Sequence, residues 1–343
     1  MTRLLVNKEG LHLKVLITGG AGYIGSTIAS ALEDRGHQPI ILDSLAVGRA
    51  EFTQGRVFYH GDIGDAALIR RVIREHPDLY ACIHCAALIV VPESVSDPYR
   101  YYHENVVKSL EMFHLFAELG LSRIVFSSSA SIYGNVPGFV AGEDAPIAPQ
   151  SPYARTKLMM EMVLEDLCAA EPLSGIALRY FNPIGADPKM RSGQYLAQPT
   201  HVLAKMMQTA TGAEPCFSIT GADWPTRDGS GLRDYIHVWD LAQAHVDAVE
   251  RFDAALDPGS RFAAINLGTG NGVTVFELLE AFETVLGKKL PTQKLPPRPG
   301  DVAGACAGVG RARQRLGWKT TKTMAEAIAD ALKWNDIWKG RKQ

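Results

Sequence analysis

A doubly wound, parallel α/β sheet with a smaller C-terminal α/β lobe is what this sequence predicts. Three observations carry that expectation. Short apolar runs alternate with helical patterns as far as about residue 180, a glycine-rich turn joins the first run to a helix, and beyond residue 185 the order is less regular and richer in Pro and Gly.

Taken in order, strands are expected at 14–18, 39–42, 57–60, 79–85, 123–128 and 176–180, with helical stretches between them. The first, Lys14-Val15-Leu16-Ile17-Thr18, runs into Gly19-Gly20-Ala21-Gly22-Tyr23-Ile24-Gly25 and then a helical pattern through Leu32. That turn satisfies both G-x-x-G-x-x-G and G-x-G-x-x-G. Glycines let the backbone approach a pyrophosphate, and the following helix start offers unpaired N–H groups and a favourable dipole. The context is that of a Rossmann-type dinucleotide site. The second run, Pro39-Ile40-Ile41-Leu42, ends at Asp43, eighteen residues beyond Gly25. A carboxylate there accepts hydrogen bonds from ribose hydroxyls and repels a 2′-phosphate, which predicts NAD rather than NADP.

Leu79 to Ala87 reads as a buried strand. Cys82 and Cys85, three apart, then face opposite sides of the sheet, so with His84 they form no metal site. The next strand, Ile124-Val125-Phe126-Ser127-Ser128-Ser129, delivers a hydroxyl cluster to the carboxyl end of the sheet, where such folds bind ligands. Pro152 marks a helix start, and on that helix Tyr153 and Lys157 share a face one turn apart. A free phenol, with pKa about 10, is a poor base at neutral pH. A neighbouring ammonium favours the phenolate, and one serine beside it can hold the oxygen that loses its proton. The pattern suggests chemistry that moves protons and hydrides. Later helices are announced by capping boxes, Thr274-x-x-Glu277 and Thr323-x-x-Glu326.

At 343 residues the chain can bury a substantial core, and its net charge of −2 offers no general attraction to nucleic acid or to an anionic membrane. Five cysteines, an odd number, suggest reduced thiols and a soluble, cytoplasmic protein. Residues 1–12 lack the apolar core of a signal peptide and are expected to be a poorly ordered extension, and no apolar stretch is long enough to span a bilayer. The expected division is residues 13–180 for dinucleotide binding and 181–338 mainly for the second lobe, with some segments returning to the sheet.

The segments TGGAGYIGS, SSSASIYG, SPYARTK, RYFNPIGA, DWPTRDGSGLRDYIHV and RPGDV occur in order along residues 13–335. With them the chain resembles the extended short-chain dehydrogenase/reductase superfamily, and within it the UDP-galactose 4-epimerase family. The resemblance implies a tightly held NAD and a UDP-sugar oxidised and re-reduced at C4. It places Gly19, Gly22, Tyr23, Ile24 and Gly25 on the pyrophosphate, Asp43 and Ser44 on the adenosine ribose, and Asp62 and Ile63 beside adenine. Ala86, Ala87, Asn105 and Ser127 would line the cofactor channel, and Tyr180 and Pro183 would pack near nicotinamide. Tyr153 would be the acid/base, Ser129 its partner on the sugar oxygen, and Lys157 the ligand of nicotinamide ribose that lowers the phenol pKa. Asn182, His201, Arg233, Arg298 and Asp301 would hold the UDP portion, and the strand Ser218, Ile219, Thr220 would offer its backbone to uracil. Ala305 would border the sugar. Two departures stand out, Ile89 where the family often has Lys and His201 where many relatives have Asn. The segment 45–55 also looks shorter than in many relatives.

The resemblance also implies a homodimer built from the helices near 103–119 and 153–170. These carry apolar residues such as Met112, Phe113, Met159, Met162 and Leu167 on more than one face. Two other readings remain open from sequence: a different nucleotide-sugar enzyme on the same scaffold, such as a pentose 4-epimerase, dehydratase or decarboxylase, and a non-catalytic NAD-binding sensor.

Overall fold

The computed structural model describes residues 6–7, 10–196, 201–297 and 302–340. Its centre is a seven-stranded parallel sheet of β1 (Lys14–Thr18), β2 (Gln38–Asp43), β3 (Val57–His60), β4 (Leu79–His84), β5 (Arg123–Ser127), β6 (Ser174–Tyr180) and β7 (Phe262–Leu267). The spatial order is β7-β6-β5-β4-β1-β2-β3, every neighbouring pair parallel. The order reverses between β1 and β4, and the crevice at such a switch point is where ligands of open α/β sheets bind.

The strands are apolar almost throughout because both faces are covered. On one face, Val15, Ile17, Ile83 and Leu178 pack against Ile28 and Leu32 of helix Tyr23–Asp34 and Leu241 and Val249 of helix Val238–Glu250. On the other, Leu16, Cys82, Ile124 and Ala177 meet Phe113 and Phe116 of helix Lys108–Leu119 and Leu164 of helix Pro152–Ala170. Cys82 and Cys85 thus belong to opposite layers, and all five thiols are free. His84 lies between Thr18 Oγ1 at 2.7 Å and Ser109 Oγ at 3.0 Å, a core histidine with both nitrogens engaged.

All six strands expected from the sequence are present, with ends differing by no more than two residues. β7 was not anticipated individually. It lies 82 positions beyond β6 (262 − 180 = 82) and pairs with it over six residues. The second lobe has its own core around Leu203, Phe217, Tyr235, Leu278 and Phe282. Short strands surround it. Asn182–Ile184 pairs with Tyr235–His237, Phe217–Thr220 pairs with Thr292–Leu295, and a four-stranded sheet joins Val273–Thr274, Leu232–Arg233, Gly304–Ala307 and Val140–Ala141. The capping box at Thr274 and Glu277 is complete, and Thr323 and Glu326 exchange the same reciprocal bonds. Near the N-terminus, Val6–Asn7 and Gly10–Leu11 pair antiparallel.

Candidate active site

The glycine turn folds as its spacing requires. Gly19 takes φ +72°, and a Cβ there would stand 2.6 Å from Ala86 N; at Gly25 it would stand 2.3 Å from Gly19 O. No other residue fits either place without moving backbone. Gly22 is the N-cap of helix Tyr23–Asp34 and uses no side chain to cap it. A Cβ on Gly22 would meet only Gly19 O at 3.2 Å and Tyr195 Oη at 4.0 Å. The helix start is thus open to an anion, and a dinucleotide pyrophosphate fits it. At the end of β2, Asp43 accepts from Ala21 N at 2.9 Å and Leu45 N at 2.8 Å. Burial pushes its carboxyl up, and these two bonds pull it back. The remaining lone pairs suit ribose hydroxyls.

The other residues expected around the cofactor divide. Ala86 packs against the Gly19 turn. Ser127 Oγ lies 3.0 Å from His245 Nε2 and 3.2 Å from Cys85 Sγ, and Tyr180 lies close to it. Ser44 is exposed beside Asp43. Asp62 is partly exposed and tied to Lys108 Nζ at 2.9 Å, while Ile63 is buried in the core below it. Asn105 does not point at the channel with free groups. Its Oδ1 accepts from Leu88 N at 2.8 Å and its Nδ2 donates to Leu88 O at 2.9 Å, so it holds the loop after β4 in place. Asn105 sits in a π-turn, His103–Val107, inside the helical run from Pro98 to Leu119, an irregularity often found at functional sites. Ile89, where the family often has Lys, is exposed on the Asn105-held loop. Tyr23 Oη donates to Gly185 O at 2.7 Å and joins the two lobes.

The helix Pro152–Ala170 starts where Pro152 needs no N–H partner, and Ser151 Oγ caps it by accepting from Ala154 N at 3.1 Å. Tyr153 and Lys157 project from its first turns under the ends of β5 and β6, both buried. Lys157 Nζ donates to Ser127 O at 2.8 Å and stands 5.0 Å above the Phe126 ring. Burial depresses its ammonium to about 8, against the smaller pull of Cys85 and Glu161. Burial raises the Tyr153 phenol, and the neighbouring Ser129 hydroxyl opposes that rise. Ser129, Tyr153 and Lys157 lie together at the end of β5. Without other charge nearby the phenol stays protonated. A positive charge brought against it is what would make it a base.

Directly after β6 opens a cavity of 390 Å³, lined among others by Asn182, Pro183, His201, Lys205, Ser218, Thr220, Trp224, Arg233 and Tyr235. Phe217 N donates to Pro291 O and Gly221 N to Leu295 O. The odd-numbered residues of this strand therefore face Thr292–Leu295, and Ser218 and Thr220 turn their N–H and C=O groups to the cavity. That free edge matches a planar imide such as uracil. Ile219 turns its own N–H and C=O toward Thr292–Leu295, and its side chain packs in the core around Phe217. His201 is the N-cap residue of helix Val202–Ala210 and lines the cavity. Arg233 leans on the Leu232 and Val302 carbonyls at 2.7 and 3.2 Å. Ala305 pairs in register with Arg233 and packs near Ala130, just past the serine cluster. Arg298 and Asp301 lie outside the described residues.

Lys205, Trp224 and Tyr235 also line the cavity; the last two lie within the DWPTRDGSGLRDYIHV motif without a role of their own, and Lys205 lies outside every motif. Lys205 follows His201 by one helical turn, a spacing that could have pointed to it. His245, against Ser127, had no local signal at all.

The model of the NAD dependent epimerase/dehydratase family matches residues 15–268. A UDP-glucose 4-epimerase of Azospirillum brasilense is 42% identical over 323 residues, 94% of this chain and 91% of that protein. One of Bacillus subtilis is 39% identical over 332 residues, 94% of this chain and 96% of that protein. Among solved structures, the UDP-glucose 4-epimerase of Stenotrophomonas maltophila, with bound NAD and formylated UDP-arabinopyranose, superimposes with a TM-score of 0.91 at 36% identity, covering 97% of this chain and all of that one. The enzyme of Bifidobacterium longum, in complex with NAD+ and UDP, gives 0.87 at 33% identity, covering 94% and 98%. Glycine turn, tyrosine–lysine helix and sheet order agree with the match, and the chain belongs to the NAD dependent epimerase/dehydratase family.

Proposed function

We propose that this chain interconverts UDP-glucose and UDP-galactose with NAD as its cofactor, residues 13–180 holding mainly the cofactor and 181–338 mainly the nucleotide sugar. The observation that carries this is the meeting of Ser129, Tyr153 and Lys157 at the carboxyl end of the sheet, beside a cavity with a free strand edge. NAD, when bound, supplies an acceptor for the C4 hydride of the sugar and returns it to the opposite face. Tyr153 Oη takes the proton from the C4 hydroxyl and later gives it back, while Ser129 Oγ holds the same oxygen. Lys157 keeps a positive charge beneath the pair and favours the phenolate. Ser218 and Thr220 hold uracil through their backbone, and Arg233 and His201 hold the diphosphate. A 4-keto sugar anchored through UDP alone is free to turn about its bond to the diphosphate. That combination of a firm nucleotide and a loosely held sugar is what epimerisation needs.

Incubating the purified protein with UDP-glucose tests this directly. UDP-galactose should appear without added NAD. Formation of a dehydrated or decarboxylated product, or no reaction with any of a panel of UDP-hexoses and UDP-pentoses, refutes it. The small Ala305 favours a second reading, that UDP-N-acetylhexosamines are accepted as well. Among the described residues no helix is long and apolar enough to cross a membrane. Five free thiols support a reducing, cytoplasmic setting. The homodimer is supported by exposed apolar residues on the two expected helices, Leu110, Met159 and Met162, each at least 40% exposed. Met112 and Phe113, expected to contribute, are buried in the core.

A further inference from the structure

Beneath the serine cluster lies a buried ion pair that substrate and cofactor binding do not use. Arg179 of β6 and Glu161 of helix Pro152–Ala170 have side chains only 7% and 4% exposed. Arg179 Nε donates to both carboxylate oxygens at 3.1 and 3.0 Å, and Nη2 donates to Oε2 at 2.7 Å. Arg179 Nη1 is held in turn by Tyr133 Oη and Glu143 O, both at 2.9 Å. One further donor reaches Glu161, the hydroxyl of Ser128.

Ser128 stands between the two residues that hold the proposed catalytic pair. The helix therefore grips two successive residues at the end of β5, Ser127 through Lys157 and Ser128 through Glu161, and sets Tyr153 beside the next, Ser129. Lys157 follows Tyr153 by four positions and Glu161 follows Lys157 by four, so all three side chains lie on one helix face. They are not equivalent in turnover. The Ser129–Tyr153 contact changes as the proton moves, and the Lys157 ammonium has a cofactor ribose to serve. The Ser128–Glu161 bond alone involves no reacting group, and it can stay fixed through the cycle. The ion pair already stands without it, since Arg179 reaches both carboxylate oxygens through its Nε–H and Nη2–H.

We propose that Glu161 is a positioning residue that, anchored by Arg179, holds the hydroxyl of Ser128 and so keeps Ser129 in register with Tyr153 and Lys157. The inference rests on the reading of Tyr153 as acid/base. Misplacing a reacting group by 1 Å can cost about a hundredfold in rate, so a lost tether should appear in kcat.

Ser128→Ala removes the tether and leaves the ion pair whole. Measured on NAD-bearing protein with UDP-glucose, it should lower kcat by about ten- to a hundredfold, with KM, NAD content and Tm close to wild type. Ser128→Thr, which keeps the hydroxyl, should recover most of the rate. Ser128→Cys, which keeps the volume but hydrogen-bonds weakly, guards against a packing defect in the alanine variant and should be slow like it. Ser128→Ala or Ser128→Cys turning over within about threefold of wild type overturns the proposal. So does a rate loss matched by losses of NAD and Tm, which would mean that Ser128 only supports the fold. An inactive Tyr153→Phe beside a fully active Ser128→Ala sinks this inference and leaves the proposed reaction standing. An active Tyr153→Phe sinks the reading beneath it.

Discussion

Removing Arg179 should be the most damaging single change away from the hydrophobic core. Arg179→Met deletes three N–H bonds to Glu161 and leaves that carboxylate, 4% exposed, with only the Ser128 hydroxyl. Breaking a buried pair by taking one partner costs about 3–5 kcal/mol, because the remaining charge is neither hydrated nor paired. For a chain of this size that is a Tm lower by roughly 4–7 °C. Removing both charges is a different experiment. In Arg179→Met/Glu161→Leu no ion is stranded, and the losses reduce to the Tyr133, Glu143 and Ser128 groups left with one partner fewer. The Tyr133 and Glu143 losses are shared with Arg179→Met, so the double variant adds only the Ser128 loss, about 1–3 kcal/mol, in place of the stranded charge. The double variant should therefore be more stable than Arg179→Met alone. Urea unfolding of the three proteins, with NAD content measured in parallel, decides it. An Arg179→Met variant within about 1 kcal/mol of wild type, or a double variant no better than the single, would refute the reasoning.

Tyr153→Phe should lose turnover by at least about a hundredfold while NAD still co-purifies, since the phenol oxygen is the acid/base and the glycine turn and Asp43 carry much of the cofactor; substantial residual epimerisation would exclude that role. In protein stripped of NAD, burial holds Lys157 at about 8 against its ordinary 10.5, so the unfolded chain binds the extra proton between those pH values and stability from this group rises with pH across that window. Lys157→Met should thus stabilise the stripped protein most below pH 8, with the advantage fading toward pH 10.5, and an advantage independent of pH would contradict the assignment. Ala305→Tyr should depress turnover of UDP-N-acetylglucosamine far more than that of UDP-glucose; equal losses, or no wild-type turnover of the acetamido sugar, would show that Ala305 is not the gate. Light scattering at micromolar concentration should report a dimer, and Met162→Glu, placing a charge on the exposed helix face, should shift it toward monomer; a wild-type protein that is monomeric there refutes the interface.

What the sequence determined by itself is what short stretches of chain impose. The turn Gly19–Gly25 needs residues without Cβ, Pro152 and Ser151 start a helix, Thr274 and Glu277 close a capping box, and four positions on a helix bring Tyr153 and Lys157 to one face. Each of these depends on backbone sterics, capping or periodicity within a few residues. The six early strands were legible for the same reason, as apolar runs set between helical patterns.

Tertiary structure decided the rest, because the partners are far apart in the chain. Phe262–Leu267 is a run of five apolar residues and Asn266 that could lie in either lobe, and only its pairing with β6 places it in the main sheet. Asn105 finds its amide partners in Leu88, 17 residues back, and Thr156, 51 residues on, from a turn whose π geometry no spacing rule reveals. Ile219 belongs to the right strand, but which of its residues face the ligand depends on which edge Thr292–Leu295 occupies. His245 comes from 118 residues beyond Ser127, and Asn266 from 133 beyond Tyr133. Met112 and Met162 are equally apolar as letters; burial alone sends one to the core and leaves the other on the surface. A sequence states which groups could bond or pack. Which of them do is settled by the burial that brings them together, where an unpaired polar group costs too much to persist.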